Sequence, residues 1–294
     1  MSAKENSNNF STKITMKKLH LLALVFATFN CIAQSKTDKL TKPIIEEGKK
    51  LYQSEMASWY GTDIFLAKYP DKEKIGGYFS YSEKEKSKCV FFSKEASPKV
   101  IGTIIFDGSF DINKATTVLE ERTFTANELD YYTLRENAKK ALEKDTVIKS
   151  YNNSKLNLIP MISNGEKKVY ILTGPNVNGV VLLGNDYLLN FDKNNNFISL
   201  KALHKNLIPI QYTKDQTEVE TMHNHKEETG DFITATDICT LMLYEKFTNW
   251  KNHIVLSKNY ASIWNCTTDE LKVITSEAFT KMFEKTEKIK DEKN

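Results

Sequence analysis

Cysteine is scarce: the 294 residues hold four. None sits in a Cys-x-x-Cys pair, which excludes a thiolate zinc knuckle and a scaffold built on disulfides. Six Pro and eleven Gly exclude collagen-like and linker-dominated architectures. No apolar run reaches the roughly 18 residues that a bilayer-spanning helix needs. Neither sign of charge dominates, since 41 Lys+Arg against 38 Asp+Glu leave +3, so no basic face for nucleic acid is expected. Gly174-Pro175-Asn176 lacks the Lys-Ser/Thr ending of a phosphate loop. No internal repeat is visible. What is there is 40% apolar and 27% charged residues, enough for a packed core.

The N-terminus reads as a leader. Met16-Lys17-Lys18 is a basic start, Leu21 to Phe29 an apolar stretch, and Cys31 with Ala33 a small-x-small cleavage signature. That is the pattern of a secretory signal peptide with a start at Met16 and cleavage after Ala33. Cys31 as a lipid-attachment site is the alternative, but Thr28-Phe29-Asn30 lacks the Leu-x-small text that precedes one. The leader carries four Lys and one Glu, so the chain beyond it is close to neutral. An exported protein, periplasmic or extracellular, is expected. Of the remaining cysteines, Cys239 and Cys266 could pair in an oxidising compartment.

The expected fold class is α+β: antiparallel sheets with flanking helices. Three parts are read: the leader over 1–33; a helix, a β-meander and a helix over 34–150; and a second α+β part over 151–294. Ile45, Tyr52, Met56 and Trp59 predict a helix over 42–60. Three strand-like runs follow, near 78–81, 89–92 and 100–106. Thr125 and Glu128 form a capping box that opens a helix ending near 144. Short strands are predicted between 154 and 211, with turns at Gly174-Pro175-Asn176, Gly184-Asn185-Asp186 and Asp192–Asn196. Beyond them come a strand ending at Met222–His225, a helix from Thr234, strands over 253–257 and 261–265, and a last helix starting at Thr267.

One segment carries candidate chemistry. His223 and His225 stand at i and i+2, which on a strand puts both imidazoles on one face. Asp237 follows twelve residues later, at the third position of the helix opened by Thr234. Two imidazoles and a carboxylate can hold a divalent metal and leave a position for water. The run His223-Asn224-His225 … Thr234-Ala235-Thr236-Asp237 resembles the metal motif of the JAMM (MPN-type) zinc peptidases: His-x-His-Pro, then Ser-x-x-Asp at a helix start. The order β-α-β-β-α around it is similar too. Lys226 replaces the proline and Thr234 the serine, and the intervening loop is one residue longer. The resemblance implies zinc on His223, His225 and Asp237, with Thr234 donating to the oxyanion. It further implies a glutamate as general base, for which Glu166 is the candidate, ahead of Glu218 and Glu220. The activity implied is hydrolysis of an amide or isopeptide bond in a protein or peptide substrate.

The same residues have a plainer reading. Thr234 with Asp237 is an ordinary capping box, and a carboxylate there favours the helix dipole without any metal. His204, beside Lys205-Asn206, reads as a structural histidine. On this reading the chain is a non-catalytic periplasmic or cell-surface protein that binds a partner.

Overall fold

Helix α1 (Asn9–Lys68) contains the predicted amphipathic stretch and runs on past it. The structure is a computed structural model. It describes residues 9–213 and 219–291, with side chains described from Lys36 to Met282 outside 214–218, and at Glu284. The side chains that carry the leader reading lie outside the described residues, and so does Glu218. No described helix is long and apolar enough to cross a membrane.

The described residues form an α+β fold with three four-stranded sheets. The first is β1 (Ile75–Glu83), β2 (Lys86–Ser93), β3 (Val100–Phe106) and β4 (Thr116–Val118), an antiparallel meander. Helix α2 (Ala126–Leu142) follows. Its capping box is closed in both directions, and Glu128 also binds Arg122 through two bonds of 2.7 Å. The second sheet is β5 (Ser154–Ser163), β6 (Glu166–Pro175), β7 (Val180–Phe191) and β8 (Phe197–Gln211), again antiparallel. Asn164-Gly165, both at positive φ, turns β5 into β6, as an Asn-Gly pair does in a tight hairpin.

The third sheet has the order β12-β11-β10-β9. Strand β9 (Val219–Asn224) pairs parallel with β10 (Trp250–Leu256), and α3 (Ala235–Tyr244) makes the crossover. Strands β11 (Tyr260–Asn265) and β12 (Glu270–Thr275) continue antiparallel, and α4 (Ser276–Asp291) follows. The last helix therefore starts at Ser276, not at Thr267. Asn265 Oδ1 accepts the Thr267 and Thr268 amides, which makes a turn of what reads as a helix cap. The following residues alternate outward and inward as an edge strand does.

Helix α1 is the spine. Leu51, Met56, Ala57 and Phe65 are buried against Cys89, Phe91, Ile101 and Ile104 of the first sheet, Ile159 and Leu172 of the second, and Cys239 and Leu243 of α3. Burying side chains of this size contributes about 1.5–3 kcal/mol each. Gly48 lets α1 lie directly on the first turn of α3, since a Cβ there would stand 2.8 Å from Ile238 Cβ. A second cluster joins Ile233, Ile238, Leu241 and Met242 to Trp250, Val255 and Trp264. It fixes the start of α3 between the second and third sheets. The three described cysteines are buried and unbridged.

Candidate metal centre

The end of β9 does what its alternation requires. His223 and His225 face the same way, and the His225 amide still donates to Leu256 O (2.9 Å) beyond the last strand residue. At the start of α3, the Thr234 amide and hydroxyl both donate to Asp237 Oδ2 (3.0 and 2.8 Å), while the Asp237 amide donates to Thr234 Oγ1 (3.1 Å). The capping box thus presents one Asp237 oxygen to Thr234 and leaves Oδ1 with no hydrogen-bond partner.

A fourth side chain joins them. His204 of β8 brings its Nε2 to 3.0 Å from His225 Nε2 and 3.7 Å from Asp237 Oδ2. His225 Nε2 lies 3.3 Å from Asp237 Oδ2, and His223 Nε2 lies 3.7 Å from Asp237 Oδ1. All four donors fall within 4.8 Å of one another, and all four residues are buried. Tetrahedral ligands about 2.0–2.1 Å from a zinc ion are about 3.3–3.4 Å apart. The measured separations bracket that spacing. Among the described residues this is the one group of His, Cys, Asp and Glu donors that could hold a metal ion.

The surroundings orient the rings. On β7, Gly184 (φ +82°) and Asn185 (φ +50°) form a bulge. A Cβ at Gly184 would stand 2.3 Å from Asn206 O, so only glycine permits that approach. Asn185 anchors the bulge from inside: its Nδ2 donates to Lys149 O, and its Oδ1 accepts from Tyr187 OH. The bulge places Asp186 opposite His204, where Oδ1 accepts from both the His204 amide (3.0 Å) and the ring Nδ1 (2.7 Å). With a metal bound, that bond would fix the tautomer and leave Nε2 its lone pair. His223 is held likewise: with its Nε2 kept as lone pair, Nδ1–H donates to His253 Nε2 (2.8 Å), and His253 Nδ1–H donates to Thr221 Oγ1 (2.8 Å). These tautomers follow from the network.

Electrostatics favour a cation. Asp186 and Asp237 are only 3% and 1% exposed, and their ion pairs all run to imidazoles. Two desolvated carboxylates in one site are costly unless compensated, and a divalent ion compensates both. Burial would push the Asp237 carboxyl up, but facing His204 and His223 holds it well below the ordinary value. Burial pushes His223 down to about 4 and His253 to about 3, so both stay neutral, as a ligand and its acceptor must. Burial also opposes protonation of His204, yet Asp237 and Asp186 carry it up to about 9. Without a metal, that ring holds the compensating proton.

The sequence-predicted residues divide. His223, His225 and Asp237 are brought together. Thr234 stands beside them, its hydroxyl donating to Asp237. Glu166 is not brought in: it begins β6 with its side chain 67% exposed and pairs with Lys168 (2.8 Å). Glu220 accepts from Asn252 at the surface. His204, read from sequence as a structural histidine, belongs to the cluster. Gly184-Asn185-Asp186, read as a turn between two strands, is a bulge inside one. A small cavity of about 60 Å³ reaches the cluster past His204 and His223, with Asn206, Glu228 and Thr229 on its wall. No protein-family model matches this chain, and no curated protein and no solved structure matches it.

Proposed function

We propose that this chain is an exported zinc protein in which the cation is a structural clamp, and that the α+β body serves in binding rather than in hydrolysis. His204, His223, His225 and Asp237 hold the ion. It ties edge strand β8 of the second sheet to edge strand β9 of the third and to the first turn of α3. The observation that carries this reading is the third imidazole, which makes a fourth ligand. His204, oriented by a buried aspartate, takes the position that a hydrolytic zinc leaves to water. Three imidazole nitrogens and one carboxylate, with donor atoms within 4.8 Å of one another, suit zinc better than the oxygen-seeking Mg²⁺ or Ca²⁺. Export is supported by the Met16–Ala33 text.

Metal analysis of the purified full chain tests the clamp. The expected result is one zinc per chain, and weaker retention with lower stability in His204→Ala. Zinc retained by His204→Ala at full affinity, together with a rise in hydrolytic turnover, would overturn the clamp.

A second reading, a metal-dependent amide or isopeptide hydrolase of JAMM type, is favoured by the motif order and by the cavity beside His204 and His223. There His204 would yield its place to a water, and Glu228 on the cavity wall, which pairs with Lys205 (3.2 Å), would have to leave that lysine to take the proton. Glu228→Gln separates the two readings. It abolishes cleavage of a fluorogenic peptide library if the centre is hydrolytic, and leaves metal content and stability unchanged if the centre is a clamp.

A further inference from the structure

The far half of α3 lines a different site. A cavity of about 240 Å³ lies between α1, β5, β6 and α3. It shares no residue with the metal cluster. One wall is charged. Glu55 of α1 faces Lys155 and Asn157, which stand two residues apart on β5 and so share a face. Asn157 Nδ2 donates to Glu55 Oε2 (3.2 Å). Glu55 and Lys155 feel each other's charge, yet no salt bridge joins them among the described residues. Burial pushes the Glu55 carboxyl up to about 7, with Lys155 and Asn157 pulling the other way. Asp63 adds a second carboxylate, one turn of helix beyond Trp59.

The other wall is apolar. Trp59, Leu172, Leu243 and Tyr244 form it. Trp59 is 37% exposed and stacks on Phe247 at 5.9 Å between ring centroids. Trp59, Pro175 and Tyr244 also line a wider opening of about 770 Å³, which extends the aromatic surface outward. The inner volume is smaller than the roughly 300–1,000 Å³ of a drug-sized pocket.

We infer that this cavity binds a free α-amino acid with a large apolar side chain: its ammonium on Glu55, its carboxylate on Lys155, its side chain along Trp59 and Tyr244. Opposite charges, Glu55 on α1 and Lys155 on β5, line one void with an amide beside them. A purely cationic ligand leaves Lys155 unanswered, and a purely anionic one leaves the desolvated Glu55 with the Asn157 amide but no cation. A zwitterion satisfies both with one short spacer. The aromatic wall favours an apolar side chain that stacks, and the wider opening gives that side chain room.

Calorimetric titration of the zinc-loaded full chain with L-phenylalanine tests this. Phenethylamine, which lacks the carboxylate, and 3-phenylpropionate, which lacks the ammonium, are titrated in parallel. The expected result is saturable one-to-one binding of L-phenylalanine, with each analogue weaker by about tenfold or more. Glu55→Gln and Lys155→Met are each expected to weaken L-phenylalanine by a similar factor. Lys155→Met should leave phenethylamine unchanged, and Glu55→Gln should leave 3-phenylpropionate unchanged. Circular dichroism and melting curves check that both variants fold. If either does not, the analogue series on the unaltered chain decides. No saturation by L-phenylalanine up to about 10 mM, where binding is worth less than about 3 kcal/mol, overturns the inference. So does phenethylamine binding as tightly as the amino acid, which would mark an organic-cation site. Because the metal ligands are untouched, failure here leaves the zinc reading standing, and loss of zinc leaves this one testable.

Discussion

Stripping the cation from the four-ligand cluster is expected to lower the unfolding free energy by about 3–4 kcal/mol. The figure comes from the atoms left behind. His223 Nε2 and Asp237 Oδ1 are buried and have no hydrogen-bond partner, and they lie 3.7 Å apart within the cluster. A buried polar atom left unsatisfied costs about 1–3 kcal/mol, so the pair accounts for about 2–6 kcal/mol. Mass action gives an independent figure: free zinc at about 100 to 1,000 times its dissociation constant stabilises by about 2.7 to 4.1 kcal/mol. In a chain of this size each kcal/mol moves the melting temperature by about 2–4 °C, so the drop should be about 10 °C. The assay is thermal unfolding followed by circular dichroism, with equimolar zinc, after chelation, and after zinc is returned. His223→Ala should melt at the lower temperature whether or not zinc is present. A shift of less than about 1 °C on chelation, or restoration by Mg²⁺ as complete as by Zn²⁺, would refute the clamp.

Other consequences concern the groups around the ligands. Asp186→Asn keeps the shape of its side chain but removes the anion behind His204, and zinc affinity should fall about 10- to 100-fold by competition titration with little change in fold. His253→Ala should weaken zinc by a similar factor, since His223 then loses the acceptor that fixes its tautomer; unchanged affinity would show that the relay to Thr221 is idle. Gly184→Ala forces a Cβ to within 2.3 Å of Asn206 O at φ +82°, and urea unfolding should show a loss of about 2–3 kcal/mol. Burial, then the neighbouring Asp269 carboxylate, raises Glu245 to about 8. A carboxyl raised in the folded state favours folding most below its unfolded value, and that contribution is lost as pH rises through about 8. The urea midpoint should therefore fall between about pH 5 and about 8 and level off above, and Glu245→Gln should flatten the slope.

Where local rules decide structure, the text was readable. The capping boxes at Thr125 and Thr234 formed where the spacing placed them, and the two-residue period put His223 and His225 on one face. Asn164-Gly165 marks its hairpin just as openly. His204 was not readable in that way. It sits on another sheet, and the residue that orients it, Asp186, lies eighteen positions upstream, across a strand pair whose register is broken by the bulge. The glycine and asparagine that make the bulge are the residues that make turns, and both use positive φ. Only the partner strand separates the two outcomes. Asn265 misleads by the same mechanism: its side chain captures two amides, as a helix cap would, and the chain goes on as a strand. No local pattern points to Glu228 or Glu55 either, because each acquires its surroundings from elements distant in the chain.

X-ray absorption at the zinc edge, on protein loaded with one equivalent, addresses the centre most directly. The expected spectrum has four nitrogen or oxygen neighbours at about 2.0–2.1 Å, with the outer-shell signature of three imidazoles. A two-imidazole signature with a bound water, or a sulfur neighbour at about 2.3 Å drawn from Cys239, would contradict the four-ligand clamp.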